Sequence, residues 1–262
     1  MNNWKDYKNW ISDTIKVGSQ FYFRGQENPQ WKLQTSFHRY SSQSNITLID
    51  YLDRIIPEVH YNVCSSENEL VDISTNMGIG GFLARLQHHG FPTPLLDWSL
   101  SPYIAAYFAL KDIDPAKPKV DNVAIYIFDF KLWSQRYNPE LDFRRPELFV
   151  TPFRPFANNN PRMLSQHAVT TATNIEDLEP YLVTQSQNQN QPSPYLYKVT
   201  LPISERKLIM NELSLMGISS MTMFPGLDGI CSSMKEHFFN NIEVVPRIPA
   251  PPPPPPPVRP GS

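Results

Sequence analysis

Cysteine is nearly absent. The 262 residues hold only Cys64 and Cys231, too few for a disulfide framework and in no spacing that would bind zinc. They are expected to be buried thiols of a reducing cytoplasm. An excess of either charge is missing as well: 23 Lys and Arg face 25 Asp and Glu, for a net charge of −2. Such a balance excludes the basic field needed for strong sequence-independent DNA binding, though it leaves room for a local basic groove. No apolar run approaches the roughly 18 residues of a membrane span. The start, Met1-Asn2-Asn3-Trp4-Lys5-Asp6, has no apolar core of the kind a signal peptide carries. None of the 10 glycines forms a phosphate-cradling Gly-rich loop, and no repeats occur. The expectation is a cytoplasmic protein with no metal and no membrane partner.

What is present is apolar and aromatic. Hydrophobic residues make up 40% of the chain and aromatics 12%, enough for one packed core. Strands and helices alternate without a regular βαβ pattern, which predicts a single mixed α+β domain over residues 1–245. The 27 prolines are concentrated at the end, where Pro251 to Pro257 run without interruption. Residues 246–262 cannot pack and are expected to form a disordered polyproline II tail, either a ligand for a partner's aromatic groove or a linker.

Along the chain, Trp4, Tyr7, Ile11 and Ile15 mark a helix over 4–17, stopped by Gly18. Phe21 to Gln26 is an aromatic strand carrying Arg24. A charge on so apolar a strand needs a partner. That partner is a carboxylate of the protein or an anionic ligand such as a pyrophosphate. Gly25 allows a turn or a ligand's close approach. Helices are expected over 48–63 and 67–89, the second ending at Gly90. His88 and His89 are too isolated for a metal site and suit a capping or core role.

Residues 95–109 carry the densest signal. Leu95 to Ser99 is a short buried strand. Ser101 stands where a helix N-cap belongs and Pro102 at the first helical position. Three polar side chains, Asp97, Ser99 and Ser101, gather where the helix leaves. They either cap the helix or bind a ligand at its unpaired N–H groups. Val123 to Phe130 predicts a central strand. Segment 131–160 is expected to be irregular; its Arg144, Arg145 and Arg154 among Phe143, Phe149, Phe153 and Phe156 either grip a nucleic acid or form a solvated loop pinned by aromatics. Residues 184–194 predict a mobile surface loop. A strand over 195–203, a helix to Met216, an extended 218–223 and a last helix from Phe224-Pro225-Gly226-Leu227-Asp228-Gly229 to Phe239 complete the chain.

Four blocks, in order and spacing, resemble the FRG domain family, named for its Phe-Arg-Gly triplet. They are Phe23-Arg24-Gly25-Gln26 with Trp31; Leu86-Gln87-His88-His89-Gly90 running into Pro92-Thr93-Pro94-Leu95-Leu96-Asp97-Trp98; Arg162 with Gln166; and Phe224 to Gly229. A second resemblance is to the Arg–Ser–Glu class of ADP-ribosyltransferases. Arg24 lies on the first strand, Asp97-Trp98-Ser99 falls where the class has Ser-Thr-Ser, and Leu100-Ser101-Pro102 with Ala105 and Phe108 follows. This resemblance implies a split central sheet flanked by helices and NAD as substrate, with no metal. It implies catalytic roles for Arg24, Asp97 and Gln166, and contacts to NAD from Arg24, Gly25, His88, Asp97, Ser99, Ser101 and Tyr103. The C1′–N bond breaks with oxocarbenium character, so the site needs a held NAD and a polar group at the ribose. The class's Glu is not evident: Gln166 and His167 stand in its region, Glu147 lies upstream and Asp228 in another block. Asp97 or a displaced acid would supply that charge.

The implied function is ADP-ribosylation of a protein or nucleic acid by a toxin or antiphage effector, restrained by an antitoxin or inhibitory partner. The alternatives are an NAD glycohydrolase, a silent nucleotide-binding module and a pure interaction domain.

Overall fold

The computed structural model describes residues 2–114, 116–154, 164–188, 193–240 and 242. Among the described residues six strands form one antiparallel sheet: β1 (Phe21–Gln26), β2 (Leu95–Ser99), β3 (Asn122–Asp129), β4 (Val150–Phe153), β5 (Ala168–Thr173) and β6 (Leu196–Pro202). Their order across the sheet is β4-β5-β2-β1-β3-β6. β3 is apolar from Val123 to Phe128, the stretch covered on both faces. Val123, Ile125 and Ile127 face helices α1 (Trp4–Thr14) and α6 (Pro102–Leu110). Ala124, Tyr126 and Phe128 lie in a second cluster with Trp133 of α7 (Phe130–Tyr137) and Leu178 and Leu182 of α8 (Leu178–Asn188). A third cluster packs α2 (Ser36–Ser44) and α5 (Asn76–His88) against Leu95, Phe153 and Ala172 of the other half of the sheet.

The two halves are joined thinly. β1 and β3 share a register from Phe21–Asp129 to Gln26–Ala124, and β2 and β5 from Leu95–Ala172 to Ser99–Ala168. β1 and β2 meet at one register pair, Phe23 with Ser99. The α+β expectation is met. The sheet is continuous rather than divided, but it parts at the β1–β2 joint, and Arg24 and Gly25 lie beyond the pair on the side of Trp98 and Asp97.

Several boundaries differ from the sequence reading. The helix expected at 48–63 runs on to Glu67, as α3 (Leu48–Asp50), a π turn (Tyr51–Ile55) and α4 (Ile56–Glu67). The wider turn precedes Pro57, whose ring would meet the Asp53 carbonyl in a regular α-helix. α5 begins at Asn76 and not at 67. Ser74 N–H donates to Asp72 Oδ1 at 2.8 Å, and Thr75 caps by accepting from Gly78 N–H at 3.0 Å. These local bonds compete with helix. Segment 131–160 is not wholly irregular. Asp129 caps α7 through Leu132 N–H at 2.9 Å, and β4 adds to β5 as an edge strand, where Pro152 is tolerated.

The loop expected from 184 is helical to Asn188, because Leu178 and Leu182 anchor α8 in the core. Residues 218–223 are not extended. After α9 (Arg206–Leu215), Ser219 and Thr222 form a capping box that starts α10 (Ser220–Met223), and α11 (Leu227–Asn240) follows. Gly90 takes φ +83° and Gly217 φ +80°, the left-handed conformation predicted for helix ends. The proline-rich segment 246–262 lies outside the described residues. No described helix is long and apolar enough to cross a membrane.

Candidate active site

β2 places its side chains in the burial order buried, buried, exposed, buried, buried; the exposed residue is Asp97. Its carboxylate is held on both oxygens. Thr170, its register partner on β5, donates from Oγ1 to Oδ1 at 3.2 Å. Gln87, on the last turn of α5, donates from Nε2 to Oδ2. Gln87 is itself fixed by Thr93, whose hydroxyl donates to Gln87 Oε1. Directly after β2, Ser101 accepts from Ile104 N–H at 3.3 Å, and Pro102 opens α6, as predicted.

Arg24 reaches across the parted strands. Its Nη1 donates to the main-chain oxygen of Asp97 at 2.6 Å. Its Nε is enclosed and has no hydrogen-bond partner. Among the described residues Arg24 makes no ion pair with a carboxylate. Burial pushes the guanidinium pKa down and the nearby Asp97 charge opposes it; an arginine remains a cation.

Between these strands lies a cavity of about 410 Å³. Arg24, Gly25, His88, Asp97, Ser99 and Gln166 of the predicted site line it, with Trp98, Phe108 and Phe224 among its apolar walls. Asp97 is the one carboxylate among the described lining residues. A second cavity of about 760 Å³ lies on the other side of Phe23, beside Tyr22, Phe130 and Arg154. It is the larger, but no carboxylate is among its described lining residues. The chemistry therefore favours the smaller one. Among the described residues no group of three or more His, Cys, Asp or Glu could hold a metal.

Several residues have roles other than those expected. Gly25 makes way for the protein and not for a ligand: a Cβ there would collide with the Ala105 carbonyl and lie 2.6 Å from the Ala109 nitrogen of α6. The Ser99 hydroxyl is used within the fold, donating to Gln166 O at 2.8 Å and accepting from Ser101 N–H at 3.1 Å. Gln166 Nε2 is bonded to Met223 O at 3.1 Å. Ser101 and Tyr103 are not among the lining residues. Ser101 serves the helix cap, and Tyr103 packs edge-on against Trp4 with ring centroids 6.0 Å apart. β5 carries no acid that could replace the class's Glu. Glu147 is exposed and ion-paired with Arg145 at 3.2 Å. Asp228 opens α11 and does not line the cavity.

Of the basic and aromatic residues of segment 131–160, the described ones are held by the fold: Phe153 belongs to β4, and Arg144, Arg145, Phe143 and Phe149 lie between α7 and β4. Arg144 pairs with Asp53 at 2.7 Å, and Phe143, Phe149 and Phe153 are buried. Phe156 and Arg162 lie outside the described residues. Gln87 and Thr170 were not singled out from sequence. Gln87 stands beside His88 in the second of the four blocks that resemble the FRG family, a usable signal. Thr170 gives none until β5 is known to pair with β2.

Residues 19–117 match the family model described as the FRG domain. The match includes Arg24, Gly25, Gln87, His88, Asp97 and Ser99 and leaves Gln166, Thr170 and Phe224 outside. No curated protein and no solved structure matches the chain.

Proposed function

We propose, from the premise that residues 19–117 are an FRG domain, that the cavity between β1 and β2 binds NAD and that the chain is an NAD-dependent ADP-ribosyltransferase. One observation carries this reading: an under-coordinated arginine and a separately held carboxylate face one partly apolar cavity. Arg24, a cation that lines the cavity and bonds a main-chain oxygen instead of a carboxylate, suits an anionic diphosphate. The 410 Å³ volume suits one nucleotide half of the ligand, and Phe108 and Phe224 offer apolar surface to a planar ring. Asp97 is the group assigned to face positive charge developing at the ribose as the bond to nicotinamide breaks. Gln166, whose amide is committed to Met223, borders the site. NAD supplies the ADP-ribosyl group, nicotinamide leaves, and a nucleophile of a protein or nucleic acid takes its place; water in that role makes the chain a glycohydrolase.

A second reading, a nucleotide-binding module without turnover, is favoured by the lack of a Glu on β5. The purified chain incubated with NAD and cell extract separates these. Nicotinamide release and label transfer that Arg24→Ala and Asp97→Ala both abolish are expected, and the labelled fraction names the acceptor. Release without transfer selects hydrolysis, and tight ADP-ribose binding without release selects the silent module. An enzyme of this kind needs restraint, so a toxin or antiphage role with an inhibitory partner belongs to the proposal. Unhindered growth on expressing the active chain alone would count against it.

A further inference from the structure

We infer that Gln87 and Thr170 are positioning residues that hold the Asp97 carboxylate away from the Arg24 guanidinium, so that both charges stay open to a ligand. Opposite charges on neighbouring strands, in a cavity partly shielded from water, attract strongly. The favoured outcome for an arginine and a carboxylate so placed is a bidentate pair. Here Arg24 instead bonds the main-chain oxygen of Asp97, while the carboxylate oxygens accept from Gln87 Nε2 and Thr170 Oγ1. Both carboxylate oxygens are thus taken by neutral donors.

The arrangement is anchored well away from the cavity. Thr93 is fully buried and orients the Gln87 amide, because its hydroxyl donates to Oε1 and leaves Nε2 aimed at Asp97. Thr93 is held in turn by Ser36 at the start of α2: its N–H donates to Ser36 Oγ at 3.0 Å, and Ser36 Oγ donates to Thr93 O at 3.3 Å. A line of hydrogen bonds thus runs from α2 to the carboxylate. The consequence is a ligand class. The cavity takes a molecule that offers an anionic group to Arg24 and a hydroxyl or positive centre to Asp97 within one nucleotide's length. This deepens the proposed function and relies on it only for the ligand's identity.

Calorimetric titration with ADP-ribose tests the inference. In Gln87→Leu the carboxylate turns to Arg24, and affinity falls by roughly tenfold, the worth of a hydrogen bond to a charged group. Once the carboxylate is gone the Gln87 substitution has no further effect: Asp97→Asn/Gln87→Leu matches Asp97→Asn alone. A double variant weaker than Asp97→Asn would overturn the inference, because Gln87 would then matter for its packing. Thr170→Val removes the other donor and repeats the test if Gln87→Leu does not fold. Failure of the wild-type chain to bind ADP-ribose would reject the NAD reading alone. The crystal structure of either variant then decides: an Arg24–Asp97 carboxylate contact within about 4 Å supports the inference, and an unmoved carboxylate overturns it.

Discussion

Helix α6 lies between two arginines, one half-buried and one buried, that are finished differently. At its C-terminal end Arg206, only 3% exposed, donates to the carbonyls of Leu110 at 3.0 Å and Lys111 at 3.3 Å. It also bonds both carboxylate oxygens of Glu236, at 2.9 and 3.0 Å. A cation belongs at a helix C-terminus, and this one ties α6 to α9 and α11. Beside the cavity, Arg24 has one hydrogen bond to a carbonyl and an enclosed Nε without a partner. The fold can satisfy an arginine fully where it needs one. The arginine left incomplete is the one facing a cavity, next to a carboxylate that is turned elsewhere. A satisfied charge has little left to offer a ligand; an unsatisfied one marks where a ligand would contribute most.

The largest expected effect tests the satisfied side. Glu236→Ala leaves Arg206 buried without its counter-charge and should cost about 3–5 kcal/mol in urea unfolding. Arg24→Met should change stability by less than about 1 kcal/mol, since it loses one hydrogen bond but also removes an enclosed, poorly partnered charge. Equal losses for the two would end the distinction between them. Next in size is Gly25→Ala, where the new methyl meets the α6 main chain at Ala105 and Ala109. Separating β1 from α6 should cost about 1–3 kcal/mol, measured by urea unfolding. A neutral substitution would mean that α6 does not hold β1 and would remove the reason for a glycine there.

Much of the site was legible because it is local. Ser101, Pro102 and the apolar residues after them dictate a capped helix directly behind a strand, and that is what forms. Arg24 on an aromatic strand announced its need for a partner, but not that the partner would be a main-chain oxygen of Asp97. What stayed hidden depends on tertiary pairing. Thr170 reaches Asp97 only because β5 lies against β2, a pairing formed between segments some seventy residues apart with no turn to signal it. Gly25 looked like a ligand contact because sequence shows that a side chain is missing, not what fills the space. The same limit explains α8: its polar stretch, from Thr184 onward, looks loop-like until Leu178 and Leu182 are seen to hold it in the core.

The smallest effect sharpens the comparison by adding a group that folds best without its charge. His38 is 6% exposed, and its Nδ1 lies 2.7 Å from Thr35 Oγ1. Burial lowers its pKa from 6.5, with the Asn174 backbone and the Glu176 charge opposing. Below that ordinary value the unfolded chain takes up a proton that the folded one refuses. Stability present above about pH 6.5 is therefore lost as pH falls toward the lowered folded value, at no more than about 1.4 kcal/mol per pH unit for one proton. His38→Asn removes this titration while leaving the other histidines in place. Urea unfolding followed from pH 7 to 5 should show a shallower decline for the variant than for the parent chain. Parallel declines would mean that His38 accepts its proton in the fold as readily as in water, and that burial at the start of α2 does not exclude charge.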